Sequence, residues 1–149
     1  MSSTHAASDQ FDLNRFIKAQ RPLYTTVLDE LRRGRKKTHW IWFIFPQVEG
    51  LGHSAMARHY SIRSRREAQA YRAHEVLGVR LCECVEAVLA VEAGTAHEIF
   101  GSPDDMKFRS SMTLFSTCDR PALFQTALDR FYAGQRDTAT LAKIKSWEM

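Results

Sequence analysis

Six consecutive residues, Trp40-Ile41-Trp42-Phe43-Ile44-Phe45, carry no charged or hydroxyl group, and Pro46 closes the run. A bilayer span needs roughly 20 apolar residues. The run also lacks the alternation that would leave one face in water, so it predicts an interior segment enclosed by protein on all sides, with helix and strand both open. Enclosing it requires apolar material elsewhere, and 149 residues that are 44% apolar and 26% charged supply it. A chain of this length buries roughly two-thirds of its unfolded surface and needs no metal or disulfide to keep a core. Disordered, collagen-like, coiled-coil and disulfide-scaffold classes are excluded by the same composition. Cys82, Cys84 and Cys118 form neither a CxxC pair nor a set of four ligands, and read as reduced, packed thiols. Met1 to Gln10 lacks a basic segment followed by an apolar one, so a cytoplasmic location is the default expectation. Residues 1–11 read as a flexible N-terminal tail and 12–149 as one domain.

Helical periodicity begins at Asp12, read as a cap for a helix carrying Leu13, Phe16 and Ile17. Pro22 opens a second segment with Leu23, Val27, Leu28 and Leu31 on one face, stopped by Gly34. Ser54 to Tyr60 predicts a short helix, while Ser64 with Glu67 and Thr95 with Glu98 have capping-box spacing. Val76, Leu77, Leu81, Val85, Val88 and Leu89 mark a longer helix between them. Ser102-Pro103-Asp104-Asp105 combines a capping side chain, a first-turn proline and two acids where the helix dipole favours them. A helix over 103–117 follows, then one over 121–133 and one from Asp137 to the end. The sum is an all-α, single compact domain of seven or eight short helices, without repeats.

Several motifs bear on chemistry. Gly50-Leu51-Gly52-His53-Ser54-Ala55 matches G-x-G-x-x-A, but a dinucleotide fold needs strands that the remainder of the chain does not offer. The glycines leave two readings, an anion site made of backbone N–H groups at a helix start, or a loop satisfying turn dihedrals. Lys107 beside Ser110 and Ser111 could form a nucleophilic pair if burial lowered the lysine, or hold a ligand phosphate with Asp104 or Asp105 orienting it, or serve only surface pairing. His39, at the edge of the aromatic run, reads as a general base or as a hydrogen-bonded structural histidine. The six histidines show no HxH, HxxxH or HExxH spacing, so no metal is expected, and nothing calls for a cofactor. Charge is divided unevenly: residues 1–80 hold 14 Lys/Arg against 7 Asp/Glu, and 81–149 hold 7 against 10. Arg32 to Lys37 and Arg58 to Arg66 are the basic clusters, either of which an anionic partner would meet.

Taken together, His39 to Gln47, Gly50 to Ser54, Arg58 to Ile62 and Gly101 to Phe115 closely resemble a bacterial domain-of-unknown-function family, number eighteen-ten, often mislabelled "calpastatin". The resemblance runs from about Leu13 to Leu141 and implies a helical fold with no established activity. A disordered, repeat-bearing protease inhibitor would not carry this aromatic content. The family's signature implies attention to His39, Trp40, Trp42, Pro46, Gln47, Gly50, Gly52, Ser54, Tyr60, Asp105, Lys107, Ser110, Ser111 and Thr113. Many of these are polar, as a ligand site requires.

Two functions are expected from this reading. The first is a pocket where the 46–54 loop meets the 103–117 helix, binding a small phosphorylated or nucleotide-like ligand, with hydrolysis of that ligand as its catalytic form. Gly50 and Gly52 amides and Lys107 would hold the anion, Trp40 or Tyr60 would face an apolar ring, and His39 or Asp105 would move a proton. Gln47, Ser54, Ser110, Ser111 and Thr113 would supply hydrogen bonds. The second is an interaction module whose basic N-terminal half docks on nucleic acid or an acidic protein, with no membrane involved.

Overall fold

The computed structural model describes residues 9–148, and within them every regular element is a helix. In chain order these are α1 Asn14–Gln20, α2 Tyr24–Arg32, α3 Ile41–Ile44, α4 Ala55–His59, α5 Arg65–Ala73, α6 Leu77–Leu89, α7 Ala96–Phe100, α8 Asp104–Ser116, α9 Ala122–Tyr132 and α10 Thr138–Trp147. The all-helical class agrees with the sequence, but ten helices replace the seven or eight expected. The surplus comes from single-turn pieces such as α3, α4 and α7, too short to form without tertiary packing and so weakly written in local sequence. Of the expected tail, residues 1–8 lie outside the described residues, and Phe11 packs against the core. No described helix is long and apolar enough to cross a membrane.

One continuous core runs from Leu13 to Ile144. α8 lies at its centre, with α9, α10 and α7 packed around it and α6 bridging α2, α5 and α9. Its aromatic heart is Phe108, stacked on Phe100 at 4.5 Å and edge-on to Phe45 at 4.8 Å. The run at 40–45 resolves into the single turn α3. Trp40, Ile41, Phe43, Ile44 and Phe45 are buried as expected, whereas Trp42 stays partly open at the surface, a departure from burial on all sides. The three cysteines are free, and burial pushes the Cys84 thiol up to about 12 and the Cys118 thiol up to about 11.

Caps follow the sequence at some ends and depart at others. Ser64 and Thr95 accept the expected amides, Thr95 with Glu98 completes a capping box, and Ser54 and Asp137 cap α4 and α10 in the same way. Glu67 does not return to Ser64. It accepts instead from Arg63 N–H and Arg15. Asp12 does not cap α1: its φ is +52°, and Asp9 Oδ1 takes the Asn14 N–H. Ser102 makes no capping bond either, because Pro103 occupies the cap position and the Asp105 N–H donates to the Gly101 carbonyl at 2.8 Å. Gly78 is required where α5 turns into α6, since a Cβ there would lie 2.2 Å from the Arg72 carbonyl oxygen.

Two buried or half-buried charges hold the connections. Arg15 donates to the carbonyls of Phe11, Asp12, His59 and Ser61 and to Glu67 at 2.8 Å, tying α1 to the segment after α4 and to α5. Glu30, 6% exposed, accepts from Lys37 N–H, Thr38 N–H, Thr38 Oγ1 and Trp40 Nε1. Burial alone would raise its carboxyl, but these donors outweigh it and lower the carboxyl to about 2, from an ordinary value of 4.5. A depressed carboxyl stabilises the fold above its unfolded value and loses that contribution as pH falls through its folded one. Glu30→Gln is therefore expected to lose about 2–3 kcal/mol of unfolding free energy at neutral pH in urea titration. The gap between wild type and variant should close as pH falls from 4.5 towards 2.

Candidate functional site

The polar residues of α8 separate onto different faces because residues three or four apart align along a helix while i and i+2 do not. Asp104, Lys107 and Ser111 share one face. Lys107 Nζ stands 5.6 Å above the Trp42 ring and 3.8 Å from Asp104 Oδ1. The other Asp104 oxygen meets Lys36 Nζ at 2.8 Å, and Lys36 in turn lies 4.9 Å over the Trp40 ring. Two ammonium groups, each against an indole, thus bracket a single carboxylate. Lys36 is 5% exposed and Lys107 23%, so the excess positive charge sits partly out of water. Along the same face Ser111 Oγ is buried without a hydrogen-bond partner, and so is Trp42 Nε1. Buried polar atoms are almost always bonded, so an open one on the ring under Lys107 and another one turn along its helix leave capacity for an acceptor; Arg72 Nε and Trp147 Nε1 are open likewise.

Ser110 and Thr113 face elsewhere. Asp137 Oδ2 accepts from Ser110 Oγ at 3.1 Å, from Thr140 N–H at 3.1 Å and from Thr140 Oγ1, while Thr113 Oγ1 accepts from Asp137 N–H at 2.9 Å. These hydroxyls fasten the start of α10. Asp105, two residues from Lys107, points away from it: its carboxylate lies 3.4 Å from His97 Nδ1, and its carbonyl accepts from Tyr132. His39 is exposed and its side chain meets no partner among the described residues. Trp40 is fully buried with its N–H on Glu30, so its ring faces core rather than a cleft. Tyr60 packs against Phe43 at 5.4 Å and Phe16 at 5.7 Å.

The 46–54 loop makes a separate cleft. Gly50 and Gly52 line it with Glu49, His53, Arg58, Ser61 and Arg63 over about 460 Å³, and no α8 side chain contributes. The expected meeting of this loop with α8 is thus indirect. Lys143 of α10 reaches Glu49 at 3.7 Å, and Gln47 lies beside Gly52. Ser54 is engaged as the cap of α4, a five-residue helix whose Ala57 N–H it satisfies. Of the first basic cluster, Lys36 is committed to Asp104 and Arg33 to Asp29, so Arg32 to Lys37 is no uninterrupted positive ridge. Lys36 and His97 are the residues that sequence reasoning missed. Each acts on an acid of α8 from a distant segment, and charge complementarity was the only signal available.

A family described as a protein of unknown function, DUF1810, matches residues 10–144. The chain belongs to this family. No curated protein matches it. The conserved hypothetical protein Rv1873 from Mycobacterium tuberculosis, known from a crystal structure, is similar at 49% identity and a TM-score of 0.90, over 92% of this chain and 99% of the other. This DUF1810 chain therefore shares its fold with a solved relative whose description names no activity. Where α8 meets the start of α10, Asp137→Ala should cost about 2 kcal/mol of stability and Ser110→Ala about 1 kcal/mol, read from urea midpoints.

Proposed function

We propose that this chain binds a small, oxygen-rich anionic ligand, phosphorylated or nucleotide-like, on the α8 face formed by Lys107, Ser111 and Trp42. The observation that carries the reading is the pair of buried, unpartnered groups, Ser111 Oγ and Trp42 Nε1, beside a lysine whose one acidic neighbour is shared with Lys36. An indole N–H and an ammonium only donate, and a hydroxyl can donate as well. Their common complement is a group with several acceptor oxygens and negative charge, which a phosphate or carboxylate supplies. Indole and ammonium together also suit a ligand with a flat ring beside its anion.

Binding rather than hydrolysis is the favoured reading. Asp105 and His97 form a carboxylate–imidazole pair, but on the side of α8 away from Lys107, and His39 is remote from both in hydrogen bonding. The rival reading, a basic surface docking on nucleic acid, draws on fewer free charges once Lys36 and Arg33 are paired.

Thermal melting against nucleotides, sugar phosphates and dinucleotides tests the proposal. A ligand at 100 times its Kd should stabilise by about 2.7 kcal/mol. Lys107→Ala should abolish the shift and Ser111→Ala should weaken it, while the unliganded variants keep a cooperative melt. A shift that survives Lys107→Ala overturns the site. Nucleic-acid binding that falls steeply with salt and depends on Arg32 and Arg35 would favour the rival.

A further inference from the structure

The excursion between Val48 and Ile62 carries a second set of donors that the α8 face does not use. Its stem is closed by Glu49 N–H on the Ile62 carbonyl and Ile62 N–H on the Gln47 carbonyl, both at 2.9 Å. Inside the stem, Glu49 and Gly50 form a turn that Leu51 closes, and the amides of Gly50, Gly52 and His53 donate to no acceptor among the described residues. Gly50 holds a φ of +93°, a conformation open to glycine, and a Cβ on Gly52 would come 2.5 Å from that of Ala57. Arg58 and Arg63 line the same cleft, and neither guanidinium meets a carboxylate among the described residues. Glu49, the acid on the rim, is paired with Lys143. The lining is therefore rich in donors and carries two uncompensated positive charges.

We infer that this cleft is a phosphate cradle, in which Arg58 and Arg63 grip adjoining phosphoryl oxygens of a diphosphate while the Gly52 and His53 amides approach from the loop. Guanidinium matches phosphate with two parallel N–H bonds, and consecutive free amides form a concave anion seat. The inference is independent of the Lys107 reading, since no α8 residue lines the cleft. The same phosphate chemistry could come from a free diphosphate or from a nucleic-acid backbone, and the test separates them.

Titration calorimetry of the full chain with inorganic pyrophosphate at low salt is the experiment, with a single-stranded oligonucleotide as the second arm. Pyrophosphate should bind. Arg58→Ala and Arg63→Ala should each weaken it about tenfold, with the double variant losing it. Lys145→Ala, at an exposed lysine outside both sites, should leave this affinity unchanged, and pyrophosphate binding that Lys107→Ala removes while the arginine variants keep it belongs to the α8 face and overturns the cradle. Both arginines are exposed, and unchanged melting of the variants will show an intact fold. Oligonucleotide binding with the same arginine dependence supports the cradle and assigns it to a backbone; pyrophosphate binding alone assigns it to a small diphosphate. Absence of binding in both arms, or a double variant that binds as wild type does, overturns it.

Discussion

Glu30 is the charge on which the first third of the molecule is built. A carboxylate taken out of water is costly unless its lone pairs are filled, and here four donors from Lys37, Thr38 and Trp40 fill them. The segment between α2 and α3 has no helix of its own, so these bonds replace the internal ladder it lacks. They bring Trp40 into the core, and the Lys36 amide reaches the Ile99 carbonyl of α7 at 2.7 Å. Lys36 can then meet Asp104 at the opening turn of α8. The placement of α8 against α3, and of Lys107 over Trp42, depends on this chain of contacts.

α8 divides its work by direction. Phe108, Met112 and Phe115 go into the core, Ser110 and Thr113 hold α10, and Asp105 turns to His97 and Tyr132. Only the Lys107–Ser111 side keeps unspent hydrogen-bonding capacity. A helix polar around most of its circumference looks in sequence like a surface element, yet eight of the thirteen residues of α8 are buried. Its hydroxyls are tolerated there because most find an acceptor within the fold, and the exception, Ser111, stands out for that reason.

Legibility from sequence followed the range of the interactions. The helical class, the stop at Gly34 and the caps at Ser64 and Thr95 are local, and periodicity with capping chemistry reveals them. The aromatic run resisted assignment because a single turn is too short to display a period, and Trp42 could be told from its neighbours only once α8 was seen beside it. Asp12 and Ser102 carry the right residue types for caps but lose to the Asp9 carboxylate and the Gly101 carbonyl, which take the Asn14 and Asp105 amides. The site was half legible. Lys107 and Ser111 stand four apart in one motif, while Lys36–Asp104 and Asp105–His97 join segments that no spacing rule connects. Gly50 and Gly52 were recognisable as special, but of their companions Arg58 comes from α4 and Arg63 from beyond it.

The grip of Arg15 on the carbonyls of His59 and Ser61 has a consequence for how fast a ligand could be captured. Holding a loop still costs about 1–2 kcal/mol of backbone entropy per residue. Here the end of the excursion is clamped by Arg15 and its stem by the Gln47–Ile62 and Glu49–Ile62 bonds, so much of that ordering is complete when the chain folds. An incoming anion would meet a formed surface instead of selecting a scarce closed conformer. Its association rate would then be governed by diffusion and by the positive field of the arginines, and its residence time by the strength of the contacts themselves.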